Sequence, residues 1–440
     1  MNQSPVHIAI VGAGPSGCYV ADALGRKLAD ARIDIFDRLP TPFGLVRGGV
    51  APDHQGTKNI ARQFERTLSK EGVRFLGNIA IGRDLSYDEL RAAYDVLVIT
   101  IGALEDRRLG IPGEDLDAVY GSGRFVAWYN GIPDARDLNP MLDGKSVAII
   151  GNGNVALDIA RLLGKTSDEL ATSDLCAHAR AAFAAAHIDD IWLIGRRGPL
   201  EASFTTAELA EFGELSRVTT LVDATQLPNT LPDGMADERR KLAEKNLEVL
   251  HAFAACGAHG DRTVRIHFVF NAAPVAILGE SRARELVLER TGSENGQAIP
   301  GGETFMILAD TVISAIGYRS APFPGLPFDD LRGIVANEQG RVEPGVYTSG
   351  WCKRGPQGVV PANRADSLAV AELILADLAA RETKGKSGGA IIDSLLAGRN
   401  AQPVDFAGWQ KINAVEVAAG QERPREKLTR IGELLAAAQA

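Results

Sequence analysis

The sequence predicts an α/β protein built from two similar domains, each organised around a parallel sheet. The apolar run VHIAIV leads into the glycine-rich turn GAGPSG at residues 12–17, and SVAII leads into GNGNVA at residues 151–156. An alanine-rich stretch with helical periodicity follows each turn, and the apolar runs have the unbroken hydrophobicity of strands covered on both faces. A strand, a glycine turn and a helix in this order open a Rossmann-like unit, so we expect two Rossmann-like dinucleotide-binding domains.

The remaining elements indicate that the second domain interrupts the first. YDVLVIT at residues 94–100 reads as a buried strand, and DTVISAIGY at residues 310–318 resembles it closely enough to mark the return to the first domain. Helical patterns are predicted over residues 59–70, 201–214, 238–253 and 363–380, whereas residues 217–300 otherwise show little pattern. The predicted domains are 1–106 (first part), 107–319, and 320–440 (second part, with C-terminal helices).

Composition excludes several classes of protein. The 440 residues are enough for two or three domains, and a net charge of −9 argues against nucleic acid as a partner. The four cysteines form no CxxC motif, which excludes a disulfide framework, a common zinc site and a dithiol relay; no metal is predicted. No apolar run reaches the length of about 18 residues typical of a membrane span, and no leader precedes the first strand, so we expect a cytoplasmic protein.

The first glycine turn has the residues needed to bind a pyrophosphate. Gly12 permits the bend, Gly14 lets the phosphates approach the backbone, and Gly17 lets the helix pack against the strand. The helix N-terminus supplies N–H groups and partial positive charge, and Asp37 ends the next strand, where an acid accepts from ribose hydroxyls. The alternative is a packing turn without a ligand, which the flanking strand, helix and acid disfavour.

The second turn differs in the residues that follow its next strand. Ala156 takes the third glycine position, and the strand ends in Arg196-Arg197 instead of an acid. Guanidinium groups bind a 2′-phosphate that a carboxylate would repel, so this site is predicted to select NADP(H) over NAD. The alternative is a solvated strand end. Two sites of different chemistry predict two different cofactors and therefore electron transfer between them.

The first site is the candidate for FAD. A flavin needs a flat slot and donors near the atoms that become negative on reduction. Gly350-Trp351 and the segment 358–361, at the start of a helix, provide both features. Trp351 as an ordinary core residue is the alternative.

Longer stretches resemble a known family. PFGLVRGGVAPDHQGTKN at residues 42–59, GNGNVALDIARLL, RRGPLEASFTTAEL and GRVEPGVYTSGWCKRGPQGVV are similar to adrenodoxin reductase and its bacterial relatives. The resemblance covers residues 6–360 and implies a glutathione-reductase-like architecture and a ferredoxin–NADP reductase containing FAD. In such an enzyme hydride passes between NADPH and FAD, and single electrons pass to a ferredoxin-type iron–sulfur protein.

The resemblance also assigns site residues by position. In addition to the three glycines of the first turn, the implied FAD contacts are Ala13, Asp37, Leu45, Ile79, Trp351, Gly358, Val359 and Val360. The implied NADP contacts are Arg107, Asn152, Gly153, Asn154, Val155, Arg196, Arg197, Glu208 and Gly358. Asp37 replaces the family's usual glutamate, Gly48 stands where a bulkier residue is common, and the VVPAN segment departs from the family pattern.

Asp53 and His54 are the candidate catalytic residues. They lie in a glycine- and proline-rich loop that lines the flavin site in the family. The pair is compatible with two roles: a proton relay to the flavin, or a structural hydrogen bond that fixes the loop.

Two other functions compete with the reductase. A flavin monooxygenase would use the same two cofactors, and a redox sensor would bind them without turnover; a disulfide reductase lacks its cysteine pair. Because ferredoxins are mostly acidic, docking needs a local basic patch. The candidates are Arg239, Arg240 and Lys241, for which a solvated helix face is the alternative, and Lys353 with Arg354. A monomer or a dimer is expected.

Overall fold

The computed structural model describes residues 5–256, 262–294, 297–358, 360–380 and 385–440. The chain forms two compact units. The first contains residues 1–105, 130–136 and 317–440, and the second contains residues 106–129 and 137–316. Division into functional domains at residues 106/107 and 319/320 stays a prediction.

The strands, in chain order, are β1 His7–Val11, β2 Arg32–Phe36, β3 Val73–Leu76, β4 Val96–Ile99, β5 Glu105–Asp106, β6 Val119–Gly121, β7 Ser146–Ile150, β8 Asp190–Ile194, β9 Val218–Val222, β10 Val264–Val269, β11 Ala272–Leu278, β12 Glu285–Glu294, β13 Gln297–Leu308, β14 Thr311–Ser314, β15 Tyr318–Arg319, β16 Phe328–Asp329, β17 Ile334–Val335, β18 Arg341–Glu343 and β19 Val346–Thr348.

The α-helices are α1 Pro15–Lys27, α2 Leu45–Gly48, α3 Gln55–Lys58, α4 Ala61–Leu68, α5 Tyr87–Ala93, α6 Ser122–Tyr129, α7 Asn154–Gly164, α8 Ala177–Ala185, α9 Thr206–Ala210, α10 Asp237–Cys256, α11 Trp351–Arg354, α12 Val360–Ala379, α13 Gly389–Gly398, α14 Phe406–Gly420 and α15 Ile431–Gln439. Within the described residues, no helix is both long and apolar enough to cross a bilayer.

The first unit is a sheet of order β18-β19-β4-β1-β2-β3, parallel except for β18. Its apolar core lies on both faces: α1, α4, α12, α14 and α15 contribute to one cluster, and α5 and α13 contribute to the other. Strand order reverses at β1, which pairs with β2 on one side and β4 on the other. Ligands of open α/β sheets bind at the carboxyl ends of strands at such a reversal.

The second unit repeats this plan with the order β6-β14-β7-β8-β10-β9, parallel throughout. Strand order reverses at β7. A three-stranded antiparallel sheet, β11-β12-β13, shares an apolar core with β7, β8 and β14. The predicted α/β class with two parallel sheets is therefore confirmed.

The continuous helix predicted over residues 201–214 is wrong. The chain forms a 3₁₀ turn at Pro199–Glu201, the short helix α9, and a second 3₁₀ turn at Glu211–Glu214. Thr205 is extended and its side chain accepts from the backbone N–H of Glu208, so it caps α9 and prevents an earlier helix start.

Candidate functional site

The first glycine turn connects β1 to α1 at the strand reversal. Gly12 has φ +112°, and a Cβ there would lie 2.4 Å from the carbonyl oxygen of Thr100, which follows β4. A Cβ on Gly17 would lie 2.1 Å from the Gly12 oxygen. Gly14 precedes the first helical residue, Pro15, and no side chain caps this helix. The turn therefore requires glycine and leaves the helix start open to an anion.

A loop lies directly over this turn. Phe43 donates its backbone N–H to the oxygen of Ala13 at 2.8 Å. A Cβ on Gly44, whose φ is +48°, would lie 2.9 Å from the Cα of Gly14. The half-buried Leu45 then opens α2. Leu45 is thus held beside the glycine turn by backbone contacts.

Asp37 stands at the end of β2 with both carboxylate oxygens engaged. One accepts from the N–H of Ala13 at 2.9 Å and the other from the N–H of Leu39 at 3.0 Å. Burial raises the pKa of Asp37, although these two bonds and the nearby Arg38 act in the opposite direction. A carboxylate accepts about four hydrogen bonds, so Asp37 orders the turn and keeps acceptor capacity for ribose hydroxyls.

Ala13 and Ile79 present no side chain to a ligand. The side chain of Ala13 is buried, and that of Ile79 is 1% exposed within the core. The N–H of Ile79 donates to the Asp37 carbonyl at 2.9 Å. Contacts of these two residues with a cofactor would have to come from backbone atoms.

The turn after β19 places Trp351 at the start of α11. Gly350 has φ +82°, and a Cβ there would lie 2.1 Å from the hydroxyl oxygen of Ser16 in α1. The Trp351 ring stacks on Tyr318 with 6.4 Å between centroids, and its Nε1 is buried with no acceptor among the described residues. A buried donor without an acceptor fits a polar ligand atom.

Asp366, in α12, fixes that turn and was not predicted. Its carboxylate accepts from the Gly350 N–H at 2.6 Å, the Ser349 hydroxyl at 3.0 Å and the Lys353 ammonium at 2.7 Å. Lys353 is therefore engaged inside the unit, which weakens its case as a docking cation. No motif marks Asp366, because its partners belong to a different element.

Arg354 is engaged in the same way. Its guanidinium donates to the side-chain oxygen of Asn363 at 2.7 Å and to the carbonyl of Gln357.

The segment before α12 is partly described. Gly358 is exposed with φ +78°, and a Cβ there would lie 2.8 Å from the Cβ of Ala362. Val359 lies outside the described residues, and Val360 is the first residue of α12, earlier than the start predicted at residue 363.

Asp53 and His54 lie in the first unit immediately before α3. Both are half-buried, and His54 donates its backbone N–H to the Ala51 carbonyl at 3.0 Å.

The second glycine turn connects β7 to α7 in the same manner. Gly151 has φ +146°, and a Cβ there would lie 2.4 Å from the carbonyl oxygen of Ala315. Gly153 precedes α7, whose N-terminus no side chain caps. The first residue of α7, Asn154, accepts from the N–H of Thr205 at 2.8 Å, which anchors the start of α9 to the turn. Val155 is half-buried in the first turn of α7.

Arg196 and Arg197 follow β8 directly after Gly195. A Cβ on Gly195 would lie 1.7 Å from the side-chain nitrogen of Asn152, so glycine is needed where this side chain crosses the strand end. Arg196 is exposed and Arg197 half-buried, and no carboxylate pairs with either guanidinium in the described parts of the chain. The Arg196 carbonyl accepts from the Thr291 hydroxyl at 2.7 Å, which fixes the backbone. The backbone of Arg196 is thus fixed, and the guanidinium groups of Arg196 and Arg197 can bind a phosphate.

Two other predicted NADP contacts of this unit, Arg107 and Glu208, give less support to a nucleotide site. Arg107 is exposed. Glu208 accepts from the Thr205 hydroxyl and so belongs to the cap of α9.

This chain is similar to a known protein family and to several characterised proteins over most of its length. Residues 6–365 match the family described as "Pyridine nucleotide-disulphide oxidoreductase". The NADPH:adrenodoxin oxidoreductase, mitochondrial, of Arabidopsis thaliana is 40% identical over 464 residues, covering 99% of this chain and 96% of that protein. The NADPH-ferredoxin reductase FprA of Mycobacterium leprae is 40% identical over 452 residues, covering 98% and 97%. The structure of Mycobacterium tuberculosis FprA in complex with NADPH has a TM-score of 0.93 at 37% identity, covering 99% of this chain and 100% of that one.

The disulphide in the family's description has no counterpart in the cysteines. All four are free: Cys18, Cys176 and Cys352 are buried, and Cys256 is exposed. The resemblance inferred from the motifs is confirmed, and the chain belongs to the pyridine nucleotide-disulphide oxidoreductase family, in its group of adrenodoxin reductases and FprA proteins.

Proposed function

We propose that this protein is an FAD-dependent NADPH–ferredoxin reductase. The observation that carries the proposal is the contrast between two glycine turns of one plan. Asp37 follows the first turn, and Arg196 and Arg197, which have no carboxylate partner among the described residues, follow the second. Relatives that are 40% identical over almost the whole chain are named for the same activity.

The first unit has the donor and acceptor set of an FAD site. The uncapped start of α1 suits a pyrophosphate, and Asp37 suits ribose hydroxyls. Trp351 offers a buried donor that lacks an acceptor in the described residues. The helix dipole places a partial positive charge at the N-terminus of the 20-residue helix α12, and this charge favours a negative group there. When bound, FAD supplies a two-electron acceptor that releases its electrons singly.

The second unit has the donor set of an NADPH site. The start of α7 offers N–H groups to the pyrophosphate, and Arg196 with Arg197 offers charge and bidentate donors to the 2′-phosphate. NADH lacks that phosphate, so these side chains bind NADPH selectively. Their work is to bind and orient, and no acid–base side chain is required of this unit.

The electron acceptor is a ferredoxin-type iron–sulfur protein. The chain carries a net charge of −9, so docking of an acidic partner needs local cations. Arg239, Arg240 and Lys241 on α10 remain candidates: Arg239 and Arg240 donate to backbone carbonyls, which leave their charge in place, as the neutral acceptors of Arg354 also do. Lys353 is the weakest candidate, because the Asp366 carboxylate neutralises its charge.

Ferredoxin-dependent reduction of cytochrome c tests the proposal. We expect rapid reduction with NADPH plus ferredoxin, and little with either alone or with NADH. Consumption of NADPH coupled to a hydroxylated product, without a carrier, would replace the proposal by a monooxygenase. Bound cofactors without turnover would replace it by a redox sensor.

His54 is proposed as a proton relay together with Asp53. If so, His54→Ala shifts the pH profile of flavin reduction by NADPH, measured by stopped-flow absorbance. An unchanged profile with lower FAD retention would leave the pair a structural role in the loop.

The cytoplasmic location and the monomeric or dimeric state stay predictions. Light scattering of the purified holoprotein decides the second.

A further inference from the structure

We propose that Glu416, in the C-terminal helix α14, is a positioning residue for the cofactor in the first unit. It acts through Arg47, which lies in the loop of residues 42–50, here called the Leu45 loop. The inference rests on the proposed function, in which the Leu45 loop lines the FAD site. It adds a residue that neither the glycine motifs nor the family resemblance marks.

The Glu416 carboxylate is fully buried and saturated by donors. Arg47 binds it with both terminal nitrogens, at 2.8 and 2.5 Å. Arg425 lies 3.4 Å from one oxygen, and the N–H of Leu428 donates to the other at 3.0 Å. Glu416 is 0% exposed and cannot reach a cofactor itself, so any effect on the cofactor passes through Arg47. A bidentate pair fixes the orientation of a guanidinium as well as its distance.

The same helix holds the Leu45 loop through Trp409. The Arg47 guanidinium lies 5.2 Å from the centre of the Trp409 ring, and the Phe43 ring meets that ring edge-on at 5.6 Å. Phe43 has φ +80°, a conformation that a bulky side chain adopts only where its surroundings impose it. Strain of this kind clusters at ligand sites, and here α14 supplies the packing that maintains it.

The opposite side of the Leu45 loop rests on the first glycine turn. Phe43 donates its backbone N–H to the oxygen of Ala13, and a Cβ on Gly44 would lie 2.9 Å from the Cα of Gly14, so position 44 has no room for a larger residue without movement. The loop is therefore clamped between α14 and the pyrophosphate turn. A shift of Arg47 moves Leu45, two residues away, relative to Gly14.

The clamp comes from a part of the chain outside the match to the family model, although the adrenodoxin reductase and FprA relatives cover this part as well. That match ends at residue 365, whereas Glu416 and Trp409 lie in the helices that follow. We infer that these C-terminal helices hold FAD by fixing the Leu45 loop.

The test is the rate of FAD release from the purified holoprotein, followed by flavin fluorescence after dilution. We expect Glu416→Gln to release FAD at least about tenfold faster, because a neutral amide cannot hold the guanidinium as a bidentate ion pair. The visible circular dichroism of the bound flavin should change, whereas the KM for NADPH of protein resupplied with FAD should not. Glu89→Gln is the matched control: it loosens the exposed pair with Arg399 in the same unit and should release FAD as the wild type does.

Arg47→Lys decides the case if Glu416→Gln fails to fold. It keeps the charge but loses the planar fork and the contact with Trp409, so we expect an intermediate rate of release. Folded variants that release FAD at the wild-type rate, with an unchanged dichroism spectrum, would overturn the inference. A wild-type protein that takes up no FAD would overturn the proposed function first, and that result is seen before any variant is made.

Discussion

At the scale of single residues, the proposed function makes cofactor choice depend on the residue that follows the second strand of each unit. Asp37 accepts hydrogen bonds from the N–H groups of Ala13 and Leu39, so the carboxylate that we propose as the ribose acceptor is ordered before a ligand binds. Arg196 and Arg197 have no carboxylate partner in the described residues, so no acidic side chain there neutralises their charge. Hydrogen bonds thus hold the Asp37 carboxylate in place, whereas the guanidinium groups of Arg196 and Arg197 can bind a phosphate.

Arg196→Ala should raise the KM for NADPH by roughly 10- to 100-fold, the effect of losing a charged hydrogen bond of about 1.5–3 kcal/mol. The KM for NADH should stay the same, because NADH has no 2′-phosphate. Steady-state reduction of cytochrome c with each nucleotide measures both values. Arg284→Ala, which removes an exposed arginine paired with Asp310, is the control. Equal changes for NADPH and NADH would remove Arg196 from the phosphate site.

His267 is expected to make the stability of the second unit depend on pH. Its ring stacks on Trp192 at 3.8 Å, and its Nε2 lies 2.7 Å from Asp190. Burial lowers the pKa of His267, against the opposing effect of Asp190. The unfolded chain, with a pKa of about 6.5, therefore binds the proton more readily than the folded one. Stability is full above that value and is lost as pH falls through the window below it.

The prediction concerns the free energy of unfolding between pH 7.5 and 5.5, measured by urea denaturation. Between pH 7.5 and 5.5, the free energy of unfolding should fall more for the wild-type protein than for the His267→Gln variant. Parallel pH dependence in the two proteins would show that His267 does not contribute.

The residues that the sequence could identify are those with a fixed place in a motif. Asp37 stands at the end of the next strand, 25 positions after Gly12, and Arg196 stands at the end of the next strand after the second turn, although 45 positions separate it from Gly151. Asp366 and Glu416 act on backbone or side chains of other elements; 369 positions separate Glu416 from Arg47. No local pattern encodes such a contact, and the packing of helices on the sheet creates it.

At the scale of elements, the two strand–turn–helix units allow the cofactor sites to be separated. Gly12→Ala places a Cβ 2.4 Å from a Thr100 oxygen, and Gly151→Ala places one 2.4 Å from an Ala315 oxygen; both glycines have positive φ. The obstacle is backbone in each case, so the turn itself must move.

We therefore expect Gly12→Ala to lose FAD while still binding NADPH, and Gly151→Ala to keep FAD while binding NADPH poorly. Flavin absorbance and a fluorescence titration with NADPH measure these outcomes. Gly432→Ala, at a position with open space around it, should affect neither. Loss of FAD from Gly151→Ala alone would reverse the assignment of the two sites.

The elements that the sequence predicted are those with strong periodicity or glycine signals. The strands β1, β2 and β4 of the first parallel sheet and β7, β8 and β14 of the second are of this kind, whereas β9 and β10 lie within residues 217–300, where the sequence shows little pattern. The antiparallel strand β13 is mostly exposed. Where buried and exposed positions alternate, at residues 305–308, the exposed residues Met306 (60%) and Leu308 (67%) are apolar, so the sequence shows no apolar–polar alternation there. The helix expected over residues 201–214 failed for a different reason, because the cap at Thr205 outweighs helical propensity in the residues before it.

At the scale of the whole molecule, the chain leaves the first unit after Glu105, contributes residues 130–136 to it again, and returns to it at Gly317. The sequence indicated this because DTVISAIGY resembles YDVLVITIGA. In both places an apolar strand is followed by a glycine with positive φ, Gly102 at +71° and Gly317 at +106°. One chain thus holds two Rossmann-like units with separate cores, one with an acid after its second strand and the other with two arginines there. This arrangement suits the proposed transfer of electrons from a nucleotide to a protein carrier.

The most direct test of this account is an anaerobic titration of the purified protein with NADPH, followed by visible absorbance. The account predicts a yellow protein whose flavin bands bleach with about one equivalent of NADPH and return when oxidised ferredoxin is added. NADH at the same concentration should bleach them far more slowly. Protein that stays colourless after incubation with FAD, or a bound flavin that NADPH does not reduce, would contradict it.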